Sequence, residues 1–195
     1  MTSVSSVLRR SFYERPVLSV ARDLVGCVVV HGACAGVIVE TEAYHDSEPA
    51  CHAFVGVTPR TSTLFGPPGY AYVYRSYGVH AMLNAVCEPV GVGAAVLIRA
   101  LEPLEGIALM QSRRGMERLE SLCSGPGKLT QALDISLHHN GVDLVGGQIF
   151  IESRPAGWGD TGISVDRRIG ITKAADLPWR FCAADSRFLS RRVAA

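Results

Sequence analysis

Apolar and polar positions alternate along residues 37–44, which predicts a β-strand with two distinct faces. One face carries Val37, Val39, Thr41 and Ala43, and the other carries Ile38, Glu40, Glu42 and Tyr44. Two acids on one strand face are unusual, because carboxylates are rarely buried unless they are paired or used in chemistry. Glu40 and Glu42 are therefore candidates for a site; the alternative is a surface strand whose two acids are solvated.

Similar patterns predict short strands and helices on both sides of this strand. Further strands are expected at residues 27–31, 70–74, 79–86, 94–100, 148–152, 163–171 and 178–183, and helices at residues 16–25, 103–114, 116–122 and 128–133. Tight turns at residues 32–36 and 75–78 would close two hairpins. Because the strands and helices follow no β-α-β rhythm, the pattern predicts an α+β fold with antiparallel hairpins in one core.

Length and composition predict a single domain. With 195 residues, of which 48% are hydrophobic, we expect one domain over residues 12–195 after a flexible end at residues 1–11. The six cysteines are scattered singly without a C-x-x-C pair, so we expect reduced, mostly buried thiols in a cytosolic protein. The chain has no apolar segment that predicts a signal peptide or a transmembrane helix.

The charge of the chain decides little about its partners. The formal net charge is +1, and the basic residues are 17 Arg but only two Lys, Lys128 and Lys173. A guanidinium group is a rigid fork of donors suited to phosphate. A codon-usage bias toward Arg would explain the same count.

Arg99 interrupts the apolar run AAVLIRA at residues 94–100. A buried arginine needs an anionic partner, because an unpaired buried charge is very costly. Glu40 or Glu42 would be the partner in a functional site, whereas a partnership with Glu102 would be a structural ion pair.

Two further features suggest a ligand. Tyr44, Tyr70, Tyr72, Tyr74 and Tyr77 could stack on a flat ligand, although tyrosines in strands are also ordinary core residues. The segment SGPGK at residues 124–128 resembles a phosphate-binding loop, since its glycines expose backbone N–H groups before a predicted helix. It is too short for a nucleotide-binding P-loop, so a phosphate of a duplex backbone fits better.

Several longer motifs follow one another along the chain. They are VETEAY at residues 39–44, then His52, FGPPGYAYVYRSYGVHAMLN at 65–84, VLIRALEPLEG at 96–106, CSGPGKLTQAL at 123–133 and RIGITKAADLPWRF at 168–181. Together they resemble the alkyladenine (3-methyladenine) DNA glycosylase family, in a bacterial member, over residues 12–188. The resemblance implies one compact α+β domain with a curved antiparallel or mixed β-sheet as an open-barrel-like core. It also implies flanking helices and a protruding β-hairpin that inserts into DNA.

The resemblance implies a base-excision repair enzyme that flips alkylated or deaminated purines out of duplex DNA. Such an enzyme hydrolyses the N-glycosidic bond of 3-methyladenine, hypoxanthine, 7-methylguanine or ethenoadenine and leaves an abasic site. By the match, Glu42 would activate the attacking water as a general base, Arg99 would help to hold that water, and the backbone carbonyl of Ile169 would be its third contact. Neither lysine matches a catalytic position, so we expect a monofunctional enzyme without metal or cofactor.

The resemblance also assigns residues that bind the damaged base. Tyr44, His52 and Tyr74 match the residues that sandwich the flipped base. Asn84 matches an asparagine beneath it, which crowds the 2-amino group of guanine. We therefore expect one pocket that is built from these four side chains.

Three residues are expected to contact the duplex. Tyr77 matches the side chain that fills the gap left by the flipped nucleotide, Arg75 would hold a flanking phosphate, and Lys128 would hold another beside the SGPG turn. The expected partner is double-stranded DNA containing damaged purines. We further expect a monomer in the cytoplasm, associated with the nucleoid.

The chain departs from the vertebrate enzymes in ways that bear on substrate range. The loop between Tyr44 and His52 is shorter by one residue, and Val79 replaces a larger apolar side chain beside Tyr77. Both differences affect how well bulky etheno adducts would fit.

Two other function classes remain open from the sequence. A non-catalytic module that binds damaged DNA would keep the tyrosines and basic residues but would not need Glu42 and Arg99 together. A small-molecule transferase could hold a substrate phosphate at the SGPGK segment, but Tyr77 would then be unexplained.

Overall fold

The computed structural model describes residues 6–76, 78–155, 158 and 161–193. In this part of the chain the strands are β1 (Val28–His31), β2 (Cys34–His45), β3 (Ala71–Ser76), β4 (His80–Val86), β5 (Ala94–Glu105), β6 (Ile149–Glu152), β7 (Ile163–Asp166) and β8 (Arg180–Ala183). The α-helices are α1 (Arg10–Tyr13), α2 (Val17–Leu24), α3 (Ile107–Arg114), α4 (Leu119–Leu122) and α5 (Pro126–Leu133). Three 3₁₀ turns span His52–Val55, Ser62–Phe65 and Leu137–His139.

The strands form one curled antiparallel sheet, a half-barrel, in the order β3-β4-β5-β2-β1-β6. β8 pairs with β2 and with β7, which extends the sheet away from this path. β2 and β5 each contain 12 residues and pair along their length at the centre of the sheet. The prediction of a compact α+β domain with a curved antiparallel sheet is confirmed.

Irregular pairing between β2 and β5 places the charged residues. Ile38 pairs with Leu101, Glu40 with Ala100 and Thr41 with Ile98, so Val39 and Arg99 fall outside the regular register. Such bulges change the direction in which nearby side chains point. β2 is also covered on both faces: Glu40, Thr41 and Glu42 are all completely buried, which rules out a surface strand with solvated acids.

The helices cover the sheet with the apolar faces that their spacing predicts. In α2 the buried positions are Val17, Val20, Ala21 and Leu24. The Thr41 hydroxyl donates to the backbone oxygen of Ala21 at 2.8 Å and so joins β2 to this helix. On the other side, α5 buries Leu129 and Leu133 against the core.

Several predicted boundaries need correction. The helix expected at residues 103–114 begins only at Ile107, because β5 continues to Glu105 and pairs there with Ala35. Gly106, at φ 70°, then turns the chain into α3. The helix expected at 116–122 is reduced to α4, and the strand expected at 163–171 ends at Asp166.

Residues 6–11 of the expected flexible end contact the domain. The N–H of Leu8 donates to the backbone oxygen of Ile151 at 2.8 Å, and the Leu8 side chain is buried. The Arg10 guanidinium donates to Asp143 at 2.7 Å. These contacts attach this part of the chain to β6 and its preceding loop.

The six cysteines are free and buried, as the sequence predicts. Among the residues that the structure describes, no helix is long and apolar enough to span a membrane.

Candidate active site

A cavity of about 440 Å³ opens between the centre of the sheet and the loop that follows β2. The four residues expected to bind a base all line it: Tyr44 from β2, His52 from the loop, Tyr74 from β3 and Asn84 from β4. The cavity volume lies in the range typical of small-molecule sites. The structure thus brings together side chains that are up to 40 positions apart in the sequence.

Aromatic rings form the walls of the cavity. The ring centroids of His52 and Tyr74 lie 4.5 Å apart, and those of Tyr72 and Tyr74 lie 5.4 Å apart in a stacked arrangement. The Tyr72 hydroxyl lies 3.1 Å from Nδ1 of His52. Tyr70 does not line this cavity; the Arg10 guanidinium lies over its ring at 4.9 Å. Of the predicted tyrosine series, Tyr44, Tyr72 and Tyr74 therefore line the cavity, and the half-buried Tyr70 does not.

Asn84 is held rigidly in the pocket wall. Its side-chain amide nitrogen donates to the backbone oxygens of Tyr72 at 3.0 Å and Met82 at 3.2 Å. Both N–H groups of the amide are occupied by these bonds, so the buried side chain cannot swing aside without losing partners for its own N–H groups.

Glu42 lies directly behind the cavity wall and does not itself line the cavity. Its Oε1 accepts from the N–H of Ile169 at 2.7 Å, and its Oε2 accepts from the Tyr44 hydroxyl at 2.8 Å and from Arg99 at 3.1 Å. Burial raises the pKa of the Glu42 carboxyl above its ordinary value, and the Arg99 charge, the Ile169 N–H and the Tyr44 hydroxyl oppose that rise. The group is a carboxylate of raised basicity that is joined to the pocket by Tyr44.

Arg99 connects the two buried acids. Its Nε lies 3.1 Å from Oε1 of Glu40, and its Nη1 lies 3.1 Å from Oε2 of Glu42. Glu40 also accepts from Arg180 at 2.8 Å, and from the N–H and hydroxyl of Ser190 at 2.6 and 2.8 Å. Arg99 is therefore bound to Glu40 and Glu42, and the alternative partner Glu102 is not its ion pair.

Ile169 reaches the site through its backbone. The structure places its N–H on Glu42, and the contact of its carbonyl with the attacking water, which the resemblance implies, stays a prediction. The neighbouring Gly170 and Ile171 line the cavity. The segment after β7 thus contributes main-chain atoms next to the carboxylate.

Arg168 opens the motif at residues 168–181, but the sequence assigned it no role, and the structure buries it in this site. Its guanidinium lies over the Tyr44 ring at 4.6 Å and over the Trp179 ring at 5.2 Å. It makes two hydrogen bonds to the Glu48 carboxylate, at 2.6 and 3.0 Å, and a third to the backbone oxygen of Ala43 at 3.0 Å. Arg168 therefore supports the face of Tyr44 that it covers and attaches the loop after β2 to it.

Arg60 is a second cation that the sequence did not reveal, and it lines the cavity itself. Its guanidinium lies over the Tyr74 ring at 5.8 Å, and its Nη2 lies 3.4 Å from Nε2 of His52. Burial, and then the Arg60 charge, lower the pKa of the His52 imidazole. Because a guanidinium can only donate, this contact favours a neutral His52 whose proton is on Nδ1, facing Tyr72.

The residues expected to contact a duplex lie around the β3–β4 hairpin. Arg75 is exposed and lines both the aromatic cavity and a neighbouring groove that also contains His80 and Gly127. Lys128 is exposed, with its ammonium 3.2 Å from the Ser124 hydroxyl. Tyr77, which the sequence predicts at the hairpin tip, lies outside the described residues. The ends of β3 and β4 next to the turn and the SGPG segment therefore border the same groove.

In the described part of the chain, no group of three or more His, Cys, Asp or Glu side chains is placed to hold a metal ion.

Comparisons with known proteins agree on one family. Residues 11–187 match a family model described as methylpurine-DNA glycosylase (MPG). A protein of Rhodopseudomonas palustris strain CGA009, provisionally named a 3-methyladenine DNA glycosylase, is 52% identical over 97% of this chain and 90% of its own length. Similarly named proteins of Methanoculleus marisnigri and Agrobacterium fabrum are 50% and 48% identical, over 99% and 95% of their lengths and 95% and 97% of this chain.

Proposed function

Because the chain belongs to the methylpurine-DNA glycosylase family, whose members hydrolyse N-glycosyl bonds in DNA, we propose that it excises alkylated and deaminated purines from duplex DNA. The proposed substrates are 3-methyladenine, hypoxanthine, 7-methylguanine and ethenoadenine. The observation that carries this proposal is a buried carboxylate of raised pKa, Glu42, hydrogen-bonded to an aromatic wall of a cavity suited to one flat ligand.

The cavity supports recognition of a base that has left the helix. A glycosidic bond inside a stacked duplex is not accessible to attack, so enzymes of this kind extrude the nucleotide. Tyr44, His52 and Tyr74 would hold the extruded base by stacking. Asn84, fixed by its two backbone contacts, would leave too little space for the 2-amino group of guanine.

Glu42 is the proposed general base. A carboxylate offers about four acceptor positions, and three donors occupy Glu42: Ile169, Arg99 and Tyr44. We place the attacking water at the cavity end of this group, where the Tyr44 hydroxyl now donates to Oε2. Catalytic hydrogen bonds often reach their working geometry only in the substrate complex, and stacking of a base on Tyr44 would move its hydroxyl.

Arg99 and Ile169 are proposed to position the Glu42 carboxylate and the water that it activates. The Arg99 charge lies beside Glu42 and keeps the carboxylate ionised against the cost of burial. Its second contact, to Glu40, fixes the direction of the guanidinium. The Ile169 N–H holds the other oxygen of Glu42, so the carboxylate plane keeps one orientation toward the cavity.

The chemistry that follows is hydrolysis without a covalent intermediate. Neither Lys128 nor Lys173 lines the aromatic cavity, so an amine nucleophile is not at hand. A raised pKa brings Glu42 closer to the working pH, which suits a general base. We therefore propose a monofunctional enzyme that needs neither metal nor cofactor.

Contacts to the duplex are proposed for the hairpin and the SGPG turn. Tyr77 would fill the gap left by the flipped nucleotide, as wedging side chains do in distorted duplexes. Arg75 and Lys128 are exposed cations on this side of the molecule and would contact backbone phosphates. We propose that the protein works as a monomer on the DNA of the nucleoid.

A direct experiment uses a duplex that contains one hypoxanthine. The protein is incubated with it in the presence of a chelator, and the DNA is then treated with alkali to cleave abasic sites. The proposal expects strand cleavage at the hypoxanthine and none in the matched adenine duplex. Tight binding without cleavage would instead indicate a non-catalytic damaged-DNA binding module, and no binding would contradict DNA as the partner.

A further inference from the structure

The charges around the aromatic cavity are not evenly compensated. Arg168 is paired with Glu48, and Arg99 is paired with Glu40 and Glu42. Arg60 lines the cavity and has no ion-pair partner among the described residues. Its positive charge is therefore available to a bound base.

The position of Arg60 affects two walls of the pocket at once. Its guanidinium lies over the Tyr74 ring at 5.8 Å and 3.4 Å from Nε2 of His52. On the far wall, the Arg168 guanidinium lies over the Tyr44 ring at 4.6 Å. The Tyr44 and Tyr74 rings, which would attract a cationic ligand, thus each have a guanidinium nearby, Arg168 behind the cavity lining and Arg60 within it.

From this arrangement we infer that Arg60 is a specificity-determining residue that favours neutral damaged purines, such as hypoxanthine, over cationic methylpurines. The inference rests on the proposed function, because it concerns the same pocket and the same reaction. It adds a substrate class that this pocket prefers and names the side chain responsible.

The reaction itself explains why one charge has opposite effects on the two classes. The C1′–N9 bond breaks with its electron pair staying on N9, while the water oxygen bonds to C1′ and its proton passes to Glu42. Hypoxanthine starts neutral and gains negative charge as it leaves, which a nearby cation stabilises. A methylpurine that starts as a cation leaves as a neutral base, so Arg60 only repels it on entry.

The test compares excision rates for two lesions in the same duplex context. Hypoxanthine serves as the neutral lesion and 7-methylguanine as the cationic one, with spontaneous depurination of the second subtracted. For Arg60→Gln, the ratio of kcat/KM for hypoxanthine to that for 7-methylguanine should fall about tenfold, as expected for removing one charge near the base. In Arg60→Gln, the decrease in kcat/KM for hypoxanthine should come mainly from a lower kcat. The increase in kcat/KM for 7-methylguanine should come mainly from a lower KM.

Two variants separate charge near the base from a phosphate contact. Arg60→Lys keeps the charge and should keep a ratio close to that of the wild type. Lys128→Gln removes an exposed cation that does not line this cavity. It should therefore lower kcat/KM for both lesions by the same factor and leave the ratio unchanged. If Arg60→Gln lowered kcat/KM for both lesions by the same factor, the inference would be overturned and Arg60 would be identified as a phosphate contact.

A second measurement does not depend on activity. Removing the Arg60 charge should raise the pKa of His52, which NMR of the imidazole ring can follow. An unchanged His52 pKa in Arg60→Gln would contradict the position of Arg60 at the pocket wall. If the wild-type protein released neither base, the proposed function would fail, whereas release with an unaltered ratio in Arg60→Gln would refute the inference alone.

Discussion

Two regions of the molecule are built around acids that lie only two positions apart in β2. Around Glu40, the side chains of Arg99, Arg180 and Ser190 and the Ser190 N–H supply four hydrogen bonds in a closed cluster. Around Glu42 there are three donors, and one of them, the Tyr44 hydroxyl, belongs to the wall of a cavity.

The difference separates a structural carboxylate from a candidate catalytic one. Glu40 attaches β2 to β8 through Arg180 and to the C-terminal segment through Ser190. Glu42 shares Arg99 with Glu40, its other donors are the Ile169 N–H and the Tyr44 hydroxyl, and burial raises its pKa. Equal burial therefore does not mean equal function, and the partners of each acid decide its role.

The largest effect on stability is expected for Glu40→Gln. The amide cannot neutralise Arg99 and Arg180, and its NH₂ group opposes the donors of Ser190. Loss of one partner in a buried ion pair costs about 3–5 kcal/mol of unfolding free energy, or roughly 6–20 °C in Tm for a chain of this size. Calorimetric or spectroscopic melting provides the measurement. Glu42→Gln is the matched comparison and should lose less stability, because Arg99 keeps Glu40 as a partner and the amide avoids the cost of burying a charge.

Binding to DNA should depend steeply on salt despite the near-neutral net charge. Several phosphate contacts predict a log–log slope of roughly −3 to −6, at about −0.9 for each contact. Lys128→Ala should make the slope shallower by about one unit if the SGPG turn holds a phosphate. Fluorescence anisotropy between low and physiological salt gives both values. A flat salt response would count against a duplex as the partner.

The excision rate should fall at acidic pH because the proposed base works only when ionised. Burial raises the pKa of Glu42 above its ordinary value, so the fraction of carboxylate decreases through a higher pH range than for an exposed glutamate. Below that pKa, the single-turnover rate should drop by about tenfold per pH unit. His52 can titrate nearby, so His52→Gln is the control and should retain this acidic limb. A rate that stays level through the ordinary glutamate range would argue against Glu42 as the base.

The smallest expected effect concerns selectivity against guanine. In Asn84→Ser the shorter side chain leaves space beneath the base and loses the two contacts that fix Asn84. Release of guanine relative to hypoxanthine should rise, by at most about tenfold for a change of this size in a pocket. An unchanged ratio would mean that guanine is rejected elsewhere in the pocket.

Much of the fold follows from local patterns in the sequence. The hairpins, α2 and α5 have strong periodicity and clear end signals such as Gly26 and Pro126, and their positions were predicted within a few residues. The extension of β5 through Pro103 to Glu105 was not predicted. It depends on pairing with β2, which lies far away in the sequence, and such pairing outweighs local propensity.

The candidate site likewise contains residues that the sequence predicts and residues whose roles appear only in the folded structure. Glu42, Tyr44, Tyr74 and Asn84 stand in recognisable motifs, and the structure gathers them around one cavity or directly behind its wall. Arg60 carries no local signal, because a single arginine in a loop resembles the many others in this chain, and Arg168 opens the motif at residues 168–181 but received no role from it. Their roles depend on contacts across 8 and 120 positions, to His52 and Glu48, and these appear only after folding.

The central claim is that Glu42, and not Glu40, performs the chemistry, and single-turnover excision by Glu42→Gln tests it most directly. The enzyme is mixed in excess with a hypoxanthine duplex, and binding is measured in parallel. We predict wild-type affinity and an excision rate about 10² to 10⁴ times lower, because an amide cannot accept the proton of water. Glu40→Gln, assayed well below its melting temperature, should lose far less of its excision rate than Glu42→Gln, because it keeps the carboxylate that accepts the proton. Near-normal excision by Glu42→Gln would contradict the assignment.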